Sequence, residues 1–372
     1  MAEKENSAHR SARLGRKRYP LETLYLTVSR KCNLSCIHCW VSACTSAVPT
    51  LEKIPTSRYV SVINQAMELG LRQVKITGGE PVAVEGISDL IRYVGTLGIT
   101  TLIETNGTIM NSDLISILGK VEAELRIGFD GLHRTTYDLI RGKAEEFDKV
   151  IKNIGLLESA GIPFEIITVA LRPNLSEISA LAEWSIEKGA EKHRTNLTIQ
   201  NIGRGTKVQN LSLNFQELKR LLQDLNEVGQ KYRGRIFATK PRILEPAYVC
   251  SLQPCKWGTH LCGVNPEGLV SLCGADVMIA GDLERDSLKE IWEESPIFQE
   301  CRSIRPIDLK GICGNCLEAE TCRGMCRVNA FCAYGDLYAP YPLCQLFYEH
   351  DEFPRSYLTN PLKNSGYDKP KA

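Results

Sequence analysis

Short apolar runs rich in β-branched residues alternate with helix-length amphipathic segments between about residue 24 and residue 199. Such alternation is typical of βαβ units and of a parallel sheet. Six units are predicted, with strands at 24–29, 72–77, 101–104, 125–128, 164–170 and 193–199. The pattern therefore predicts an α/β fold, a partial (βα)6 TIM-like barrel, whose chemistry should lie at the carboxyl ends of the strands.

Two of the helices can be delimited by their sequence. The segment 56–69 has apolar residues at helical spacing, with Thr56 or Ser57 as the N-cap and Gly70 after the last turn. A second amphipathic helix is predicted at 215–231. Both should bury one face against the sheet.

Charge and hydropathy narrow the class of protein. Lysine and arginine number 45 against 44 aspartates and glutamates, a net charge of +1 that gives no global reason to expect a nucleic-acid partner. The first eighteen residues hold six basic side chains without a following apolar stretch, so they predict a solubilising tail rather than a signal peptide or a nucleic-acid arm. No run of about eighteen apolar residues occurs. No membrane partner and a cytoplasmic location are therefore expected.

The fifteen cysteines fall into two groups. Four lie between Cys32 and Cys44, and eleven lie between Cys250 and Cys344. An odd number of cysteines in a long chain without a signal peptide favours thiolates that hold metal over disulfides. The predicted organisation is a basic tail at 1–18, a barrel at 19–235, a linker at 236–249, a small cysteine-rich iron–sulfur domain at 250–350 and a polar tail at 351–372.

The loop after the first strand carries Cys32, Cys36 and Cys39 within eight residues. Three such thiolates can hold a [4Fe–4S] cluster and leave one iron open for a ligand. Two alternatives stand beside this interpretation: three small core residues on one helical face, or a zinc site completed by His38.

This loop resembles the signature of the radical S-adenosylmethionine (SAM) superfamily. Gly78, Gly79 and Glu80 follow the second strand and are similar to the GGEP motif of that superfamily. The resemblance implies that the open iron binds the amino and carboxylate groups of SAM, and that an electron cleaves SAM to methionine and a 5′-deoxyadenosyl radical. The glycines would let the backbone approach the amino group, whose charge the glutamate would accept.

Residues after the next two strands extend the resemblance. Thr105 and Asn106 follow the third strand, and Asp130 follows the fourth. The resemblance implies that these residues contribute to the SAM site and that Arg141 pairs with the SAM carboxylate. Relatives often have serine where this chain has Gly128, so the hydroxyl contact to SAM should be absent or come from elsewhere.

The second cysteine group resembles the SPASM extension of radical SAM enzymes, which binds two auxiliary [4Fe–4S] clusters. That resemblance implies one cluster held by Cys313, Cys316, Cys322 and Cys344. It implies a second, which we call the first auxiliary cluster, held by Cys255, Cys273 and Cys326 with Cys262 as fourth ligand, although Cys250 competes for that place. Zinc is the alternative metal. The remaining cysteines are interpreted as buried apolar residues: Cys44, Cys301 and Cys332.

These resemblances imply an oxidoreductase or maturase with three clusters and SAM, acting on a ribosomally made peptide by crosslinking or side-chain oxidation. Since only 31 residues precede Cys32, a separate peptide-recognition protein is expected, together with an electron donor such as flavodoxin or ferredoxin. Asp276 is a candidate general base or else a solvated loop residue. The alternatives are a tetrapyrrole or sugar substrate, or a non-catalytic electron carrier.

Overall fold

One sheet of eleven strands organises the part of the chain that the structure describes, residues 19–44 and 55–359 of a computed structural model. Its order is β11-β10-β9-β1-β2-β3-β4-β5-β6-β7-β8. Neighbours from β9 through β8 pair in parallel, whereas β10 is antiparallel to β9 and β11. The strands are β1 (Thr23–Thr27), β2 (Gln73–Thr77), β3 (Thr100–Thr105), β4 (Glu124–Gly128), β5 (Phe164–Val169), β6 (Lys192–Asn196), β7 (Ile236–Ala238), β8 (Cys250–Ser251), β9 (Leu261–Val264), β10 (Leu269–Ser271) and β11 (Ile279–Asp282).

The six predicted strands are present as β1 to β6, and the parallel α/β architecture is confirmed. Five of them agree with the predicted bounds within two residues, but β6 ends three residues early, at Asn196. The reason is local: the Leu197 amide donates to the Thr239 hydroxyl at 2.9 Å. From Leu197 onward the backbone no longer pairs with the neighbouring strands.

The sheet is also larger than six strands. The segment predicted as a linker, 236–249, contributes β7, and the cysteine-rich region contributes β8 to β11 to the same sheet. The region beyond residue 250 is thereby joined to both edges of the parallel array. The basic tail at 1–18 and residues 360–372 of the polar tail lie outside the described residues.

Thirteen α-helices occur among the described residues. Helix α1 begins after Pro55, which offers no side-chain cap, so the N-cap predicted at Thr56 or Ser57 is wrong. Helix α7 has the predicted bounds and begins at a capping box between Asn214 and Glu217. The helices are α1 (Thr56–Glu68), α2 (Ile87–Gly95), α3 (Ser112–Lys120), α4 (Arg134–Arg141), α5 (Glu146–Ser159), α6 (Ile178–Glu187), α7 (Phe215–Lys231), α8 (Leu288–Glu294), α9 (Pro296–Ser303), α10 (Gly311–Gly314), α11 (Ala319–Cys322), α12 (Arg327–Tyr334) and α13 (Pro342–Glu349).

The two faces of the sheet differ in chemistry because successive strand residues point to opposite sides. One face is apolar and fully buried against the helices, as at Leu24, Val74 and Ile166. The other face carries charged side chains at the middle of the strands: Lys75, Glu104, Arg126, Glu165 and Arg194. This polar face lines the inside of the partial barrel. None of the helices in the described part of the chain has the length and hydrophobicity needed to cross a bilayer.

Candidate active site

The loop after β1 brings Cys32, Cys36 and Cys39 together. Burial raises the pKa of Cys32 to about 11, and the nearby thiolate of Cys36 also raises it. Burial raises the pKa of Cys36 too, with a further contribution from Cys39. Such thiols ionise only with a compensating positive charge, which an iron cluster would supply. None of the fifteen cysteines forms a disulfide, so these thiols are available as cluster ligands.

A basic residue far along the chain holds this loop in shape. The Nε atom of Arg204 donates to the Cys36 carbonyl at 2.8 Å, and its backbone amide donates to the Cys39 carbonyl at 2.9 Å. This contact could not be predicted from the sequence, because Arg204 lies more than 160 residues away, in a 3-10 helix at Gly203–Leu211. Its guanidinium orients the loop without occupying the thiols.

The glycine pair after β2 lets that turn pack directly on the cysteine loop. A Cβ atom on Gly79 would lie 2.0 Å from the Lys31 carbonyl oxygen, and Gly78 has a φ of +151°. The Glu80 amide donates to that same carbonyl at 2.8 Å. Only glycine permits this approach, so the motif and the cysteine loop form one structural unit.

Glu80 connects this turn to the end of β3. Its buried carboxylate accepts hydrogen bonds from the Thr105 hydroxyl at 2.7 Å and from the Asn106 amide at 2.8 Å. The Asn106 side chain donates in turn to the Cys32 sulfur at 3.7 Å. The structure therefore brings together five of the predicted SAM-binding residues, Gly78 to Glu80 with Thr105 and Asn106, beside the first cysteine of the loop.

Burial raises the pKa of Glu80 to about 7, although its hydrogen-bond donors lower it. Only the ionised form can pair with the ammonium group of SAM. The ionised fraction of Glu80 grows as the pH rises through 7. We therefore expect the affinity of the wild-type protein for SAM to increase as the pH rises through 7. The Glu80→Gln variant should bind SAM more weakly and lose this pH dependence, as measured by equilibrium dialysis. Glu124→Gln, an exposed substitution, is the control; an unchanged profile in Glu80→Gln would contradict the assignment.

Asp130 and Arg141 form a buried ion pair below the loop. The Nη2 atom of Arg141 lies 2.8 Å from Asp130 Oδ2, and its Nη1 atom donates to Cys36 Sγ at 3.8 Å. His38 Nε2 lies 3.4 Å from the same Asp130 oxygen. Desolvation lowers the pKa of His38 to about 4, so the imidazole is neutral at pH 7. The two predicted residues, Asp130 and Arg141, therefore both contact the cysteine loop.

The four cysteines predicted for one auxiliary cluster line a single cavity of about 180 Å³. Burial raises the pKa of Cys344, and the other three thiolates raise it further. The cavity wall also contains Met325 and Leu252. Four inward thiols in a mostly apolar cavity fit an iron–sulfur cluster. The set is Cys313, Cys316, Cys322 and Cys344.

Three cysteines predicted for the first auxiliary cluster also meet. The Cys255 amide donates to the Met325 carbonyl at 3.1 Å, which places Cys255 beside Cys326. Burial raises the pKa of Cys273 strongly, and the thiolates of Cys326 and Cys255 raise it further. The three thiols thus share one buried neighbourhood.

Cys262 is not brought to this neighbourhood. In β9 it is paired with Leu24, lies in the apolar core and has no exposed surface. The next residue, Gly263, faces the Cys273 carbonyl, since a Cβ there would lie 2.1 Å from that oxygen. Because neighbouring strand residues point in opposite directions, the Cys262 thiol points away from Cys273.

The remaining cysteines take different positions. Cys301 has no exposed surface, as predicted for an apolar residue. Cys332 and Cys44 are only partly buried. The thiolate of Cys332 is near enough to contribute to the raised pKa of Cys273, a proximity that the spacing of the sequence did not indicate. Among the described residues, no three His, Cys, Asp or Glu side chains form a site for a single metal ion.

The first auxiliary cysteines face the same interior as the catalytic loop. Gly274 packs between two aromatic rings, since a Cβ there would lie 2.8 Å from Tyr25 and 3.1 Å from Trp40, which follows Cys39. Lys75 lies over the Tyr25 ring at 4.9 Å, and burial lowers its pKa. The polar face of the sheet therefore lies beside the first auxiliary cysteines and, through Trp40, beside the catalytic loop.

Asp276 is part of an ion pair that joins the two cysteine regions. Its carboxylate accepts from Arg30 Nη2 at 2.5 Å and from Asn265 Nδ2 at 3.1 Å. Arg30 also contacts Glu267, at 2.6 Å. With both carboxylate oxygens engaged, Asp276 fits a structural role better than that of a general base.

We therefore expect Asp276→Asn to retain product formation within about tenfold of the wild type, since loss of a general base costs about 10²–10⁴-fold. Its free energy of unfolding should fall by about 1 kcal/mol, because one of the two ion pairs of Arg30 is lost. Product assays and denaturant unfolding measure the two effects. A thousandfold loss of turnover in a folded variant would restore Asp276 as the base.

The parallel barrel, the three-cysteine loop at its strand ends and the cysteine-lined cavity define an iron–sulfur protein of the radical SAM type. Residues 26–185 match the Radical SAM superfamily, and residues 255–317 match the SPASM family, described as an iron-sulfur cluster-binding domain. The chain is a radical SAM enzyme with a SPASM domain. Its cofactors are a SAM-binding [4Fe–4S] cluster, SAM and auxiliary iron–sulfur clusters, as predicted.

Characterised relatives cover most of the chain. It is 29% identical over 332 residues to the AdoMet-dependent heme synthase of Methanosarcina barkeri (strain Fusaro / DSM 804), covering 84% of this chain and 93% of that protein. It is 26% identical over 321 residues to the mycofactocin maturase MftC of Mycolicibacterium smegmatis, covering 84% and 80%. The structure of Streptococcus suis SuiB bound to precursor peptide SuiA has the same fold, with a TM-score of 0.70 at 20% identity over 91% of this chain and 79% of that chain.

Proposed function

We propose that this enzyme oxidises a ribosomally made peptide by hydrogen abstraction, forming a crosslink or an oxidised side chain. The observation that carries the proposal is the proximity of the two cysteine groups: Gly274, next to Cys273, packs against Trp40, next to Cys39, and against Tyr25 on the polar face of the sheet. A substrate there would lie between a radical source and an electron acceptor. The mycofactocin maturase and the SuiB–SuiA complex support a peptide.

The bound cofactors supply the 5′-deoxyadenosyl radical, which takes one hydrogen atom from the substrate. The residues of this chain bind and orient. The Glu80 carboxylate would hold the ammonium group of SAM, and Thr105 and Asn106 fix that carboxylate. The auxiliary clusters, when bound, would supply an acceptor for one electron of the substrate radical; with one proton released to solvent or a base, a crosslink would form with the loss of two hydrogens overall.

The residues of the auxiliary sites support two clusters in the proposed arrangement. One would be held in the cavity of Cys313, Cys316, Cys322 and Cys344. The other would be held by Cys255, Cys273 and Cys326, with a fourth ligand that the position of Cys262 disfavours. A separate peptide-recognition protein and an electron donor such as flavodoxin or ferredoxin belong to this proposal.

A tetrapyrrole substrate is the second candidate, because the heme synthase of Methanosarcina barkeri matches this chain at higher identity than the maturase does. The polar face of the sheet is compatible with it, since Lys75 could pair with a carboxylate side chain of the substrate. In this alternative the same radical chemistry acts on a small molecule.

Anaerobic incubation tests the two candidates together. Reconstituted protein, SAM and a reductant are combined with small peptides encoded beside the gene or with an iron porphyrin that bears carboxylate side chains. Mass spectrometry should show a peptide lighter by two hydrogens, about 2 Da per crosslink formed. A modified porphyrin with unmodified peptides would reverse the order of the candidates. Cleavage of SAM without either product would reject both substrates and leave the radical chemistry intact.

A further inference from the structure

Arg141, the last residue of α4, directs its guanidinium at a ligand of the catalytic cluster. Its Nη1 atom donates to Cys36 Sγ at 3.8 Å, while Nη2 pairs with Asp130 at 2.8 Å. The side chains of Arg141 and Asp130 are only 9% and 0% exposed. Contacts within the protein thus hold a buried cation against the sulfur of Cys36.

Gly128 makes room for this arrangement. A Cβ atom at residue 128 would lie 2.7 Å from Arg141 Nη2 and 2.9 Å from Nη1, closer than Cβ atoms approach other groups. The edge of the guanidinium formed by Nη1 and Nη2 therefore points at Gly128, at the end of β4. This packing explains why the chain has glycine at the position where the superfamily often has serine: any side chain would displace Arg141.

Both terminal nitrogens of Arg141 are engaged within the protein. Its Nε atom is buried and has no hydrogen-bond partner among the described residues. A guanidinium has more N–H groups than these two contacts use, so a carboxylate of SAM need not displace Cys36 in order to bind. The geometry therefore places a cation against a cluster ligand whether or not Arg141 also contacts SAM.

We propose that Arg141 raises the reduction potential of the catalytic cluster through its hydrogen bond to Cys36, with Gly128 as the residue that permits it. Reduction adds one negative charge to the cluster, and hydrogen bonds to its sulfurs stabilise that charge. Asp130 holds the guanidinium in place and opposes part of its charge. The inference rests on a cluster at Cys32, Cys36 and Cys39, whose presence is tested separately by iron content.

The experiment measures the midpoint potential of the reconstituted protein without SAM, following the cluster whose electron paramagnetic resonance (EPR) spectrum changes when SAM is later added. In Arg141→Met we expect reduction to be at least tenfold less favourable, which corresponds to about 59 mV for one electron. Gly128→Ala should shift the potential in the same direction, because the new methyl group displaces the guanidinium. Asp130→Asn, which removes a negative charge, should shift it upward.

Arg134→Met is the matched control, since Arg134 lies on the same helix, is about half exposed and pairs with Asp148. Its potential and SAM affinity should equal those of the wild type. If Arg141→Met weakens SAM binding but leaves the SAM-free potential unchanged, Arg141 serves SAM alone and the proposal is wrong. If Arg141→Met fails to retain iron, Gly128→Ala decides, because it keeps every ligand and charge: a lowered potential supports the proposal and an unchanged one overturns it.

Discussion

Replacing Cys36 with alanine is expected to abolish reductive cleavage of SAM while about eight of about twelve irons stay bound. Cys36 is central to the loop: it lies between the other two thiols, accepts a hydrogen bond from Arg141 and has its carbonyl held by Arg204. The remaining irons belong to the auxiliary sites, which lie in a different part of the chain. Iron analysis and the yield of 5′-deoxyadenosine measure both parts of the expectation.

The matched control for this variant is Cys301→Ala. Cys301 is fully buried in α9. Its thiol is not among the groups that shift the pKa of Cys32 or Cys36. We expect that variant to keep about twelve irons and full cleavage. Undiminished 5′-deoxyadenosine from Cys36→Ala would remove the cluster from this loop. A wild-type protein that takes up zinc and never iron under strict anaerobiosis would overturn the cluster assignment as a whole.

The parts of the site that could be predicted from the sequence are those encoded by short segments at strand ends. The carboxyl ends of parallel strands meet at one edge, so residues that follow β1, β2 and β3 had to converge. The cysteine loop and the turn at Gly78 to Glu80 follow this rule, and their contact through Lys31 is observed. In these places local sequence determines both the conformation and the neighbours.

The parts that could not be predicted depend on which face of a strand a residue occupies. Cys262 and Gly263 differ by one position, yet one lies in the core and the other faces Cys273. A shift of one residue reverses the two, and the polar and apolar pattern of the short strand β9 does not fix that choice. Cys332 lies in helix α12, so its proximity to Cys273 depends on how that helix packs and not on strand register.

Contacts between segments far apart in the chain could not be predicted from the sequence either. Arg30 joins the catalytic loop to Glu267 and Asp276, some 240 residues later. No spacing rule connects such positions, because the pairing arises only after β9 has been added beside β1. From the sequence alone, Asp276 was a possible base. In the structure its carboxylate pairs with Arg30 and so links the two cysteine regions.

Loss of an auxiliary ligand should separate radical formation from product formation. Cys322→Ala removes one of four thiols from the cavity that also contains Cys344, while the predicted SAM-binding residues lie in the barrel and stay unchanged. We expect this variant to produce 5′-deoxyadenosine at a rate near that of the wild type but to form little or no modified substrate, because the substrate radical has lost its electron acceptor. The measurement is the ratio of product to 5′-deoxyadenosine.

Structure and metal content must be followed in the same preparations, since cluster ligation also stabilises a small cysteine-rich region. Circular dichroism and SAM binding should match the wild type, and iron should fall by about four atoms. Met325→Leu is the matched control: Met325 lines the same cavity without being a predicted ligand, so its product ratio should be unchanged. If folded Cys322→Ala, short of one cluster, forms product at the normal ratio, that cluster serves only to hold the region together, and electron transfer from the substrate must use the site at Cys255, Cys273 and Cys326.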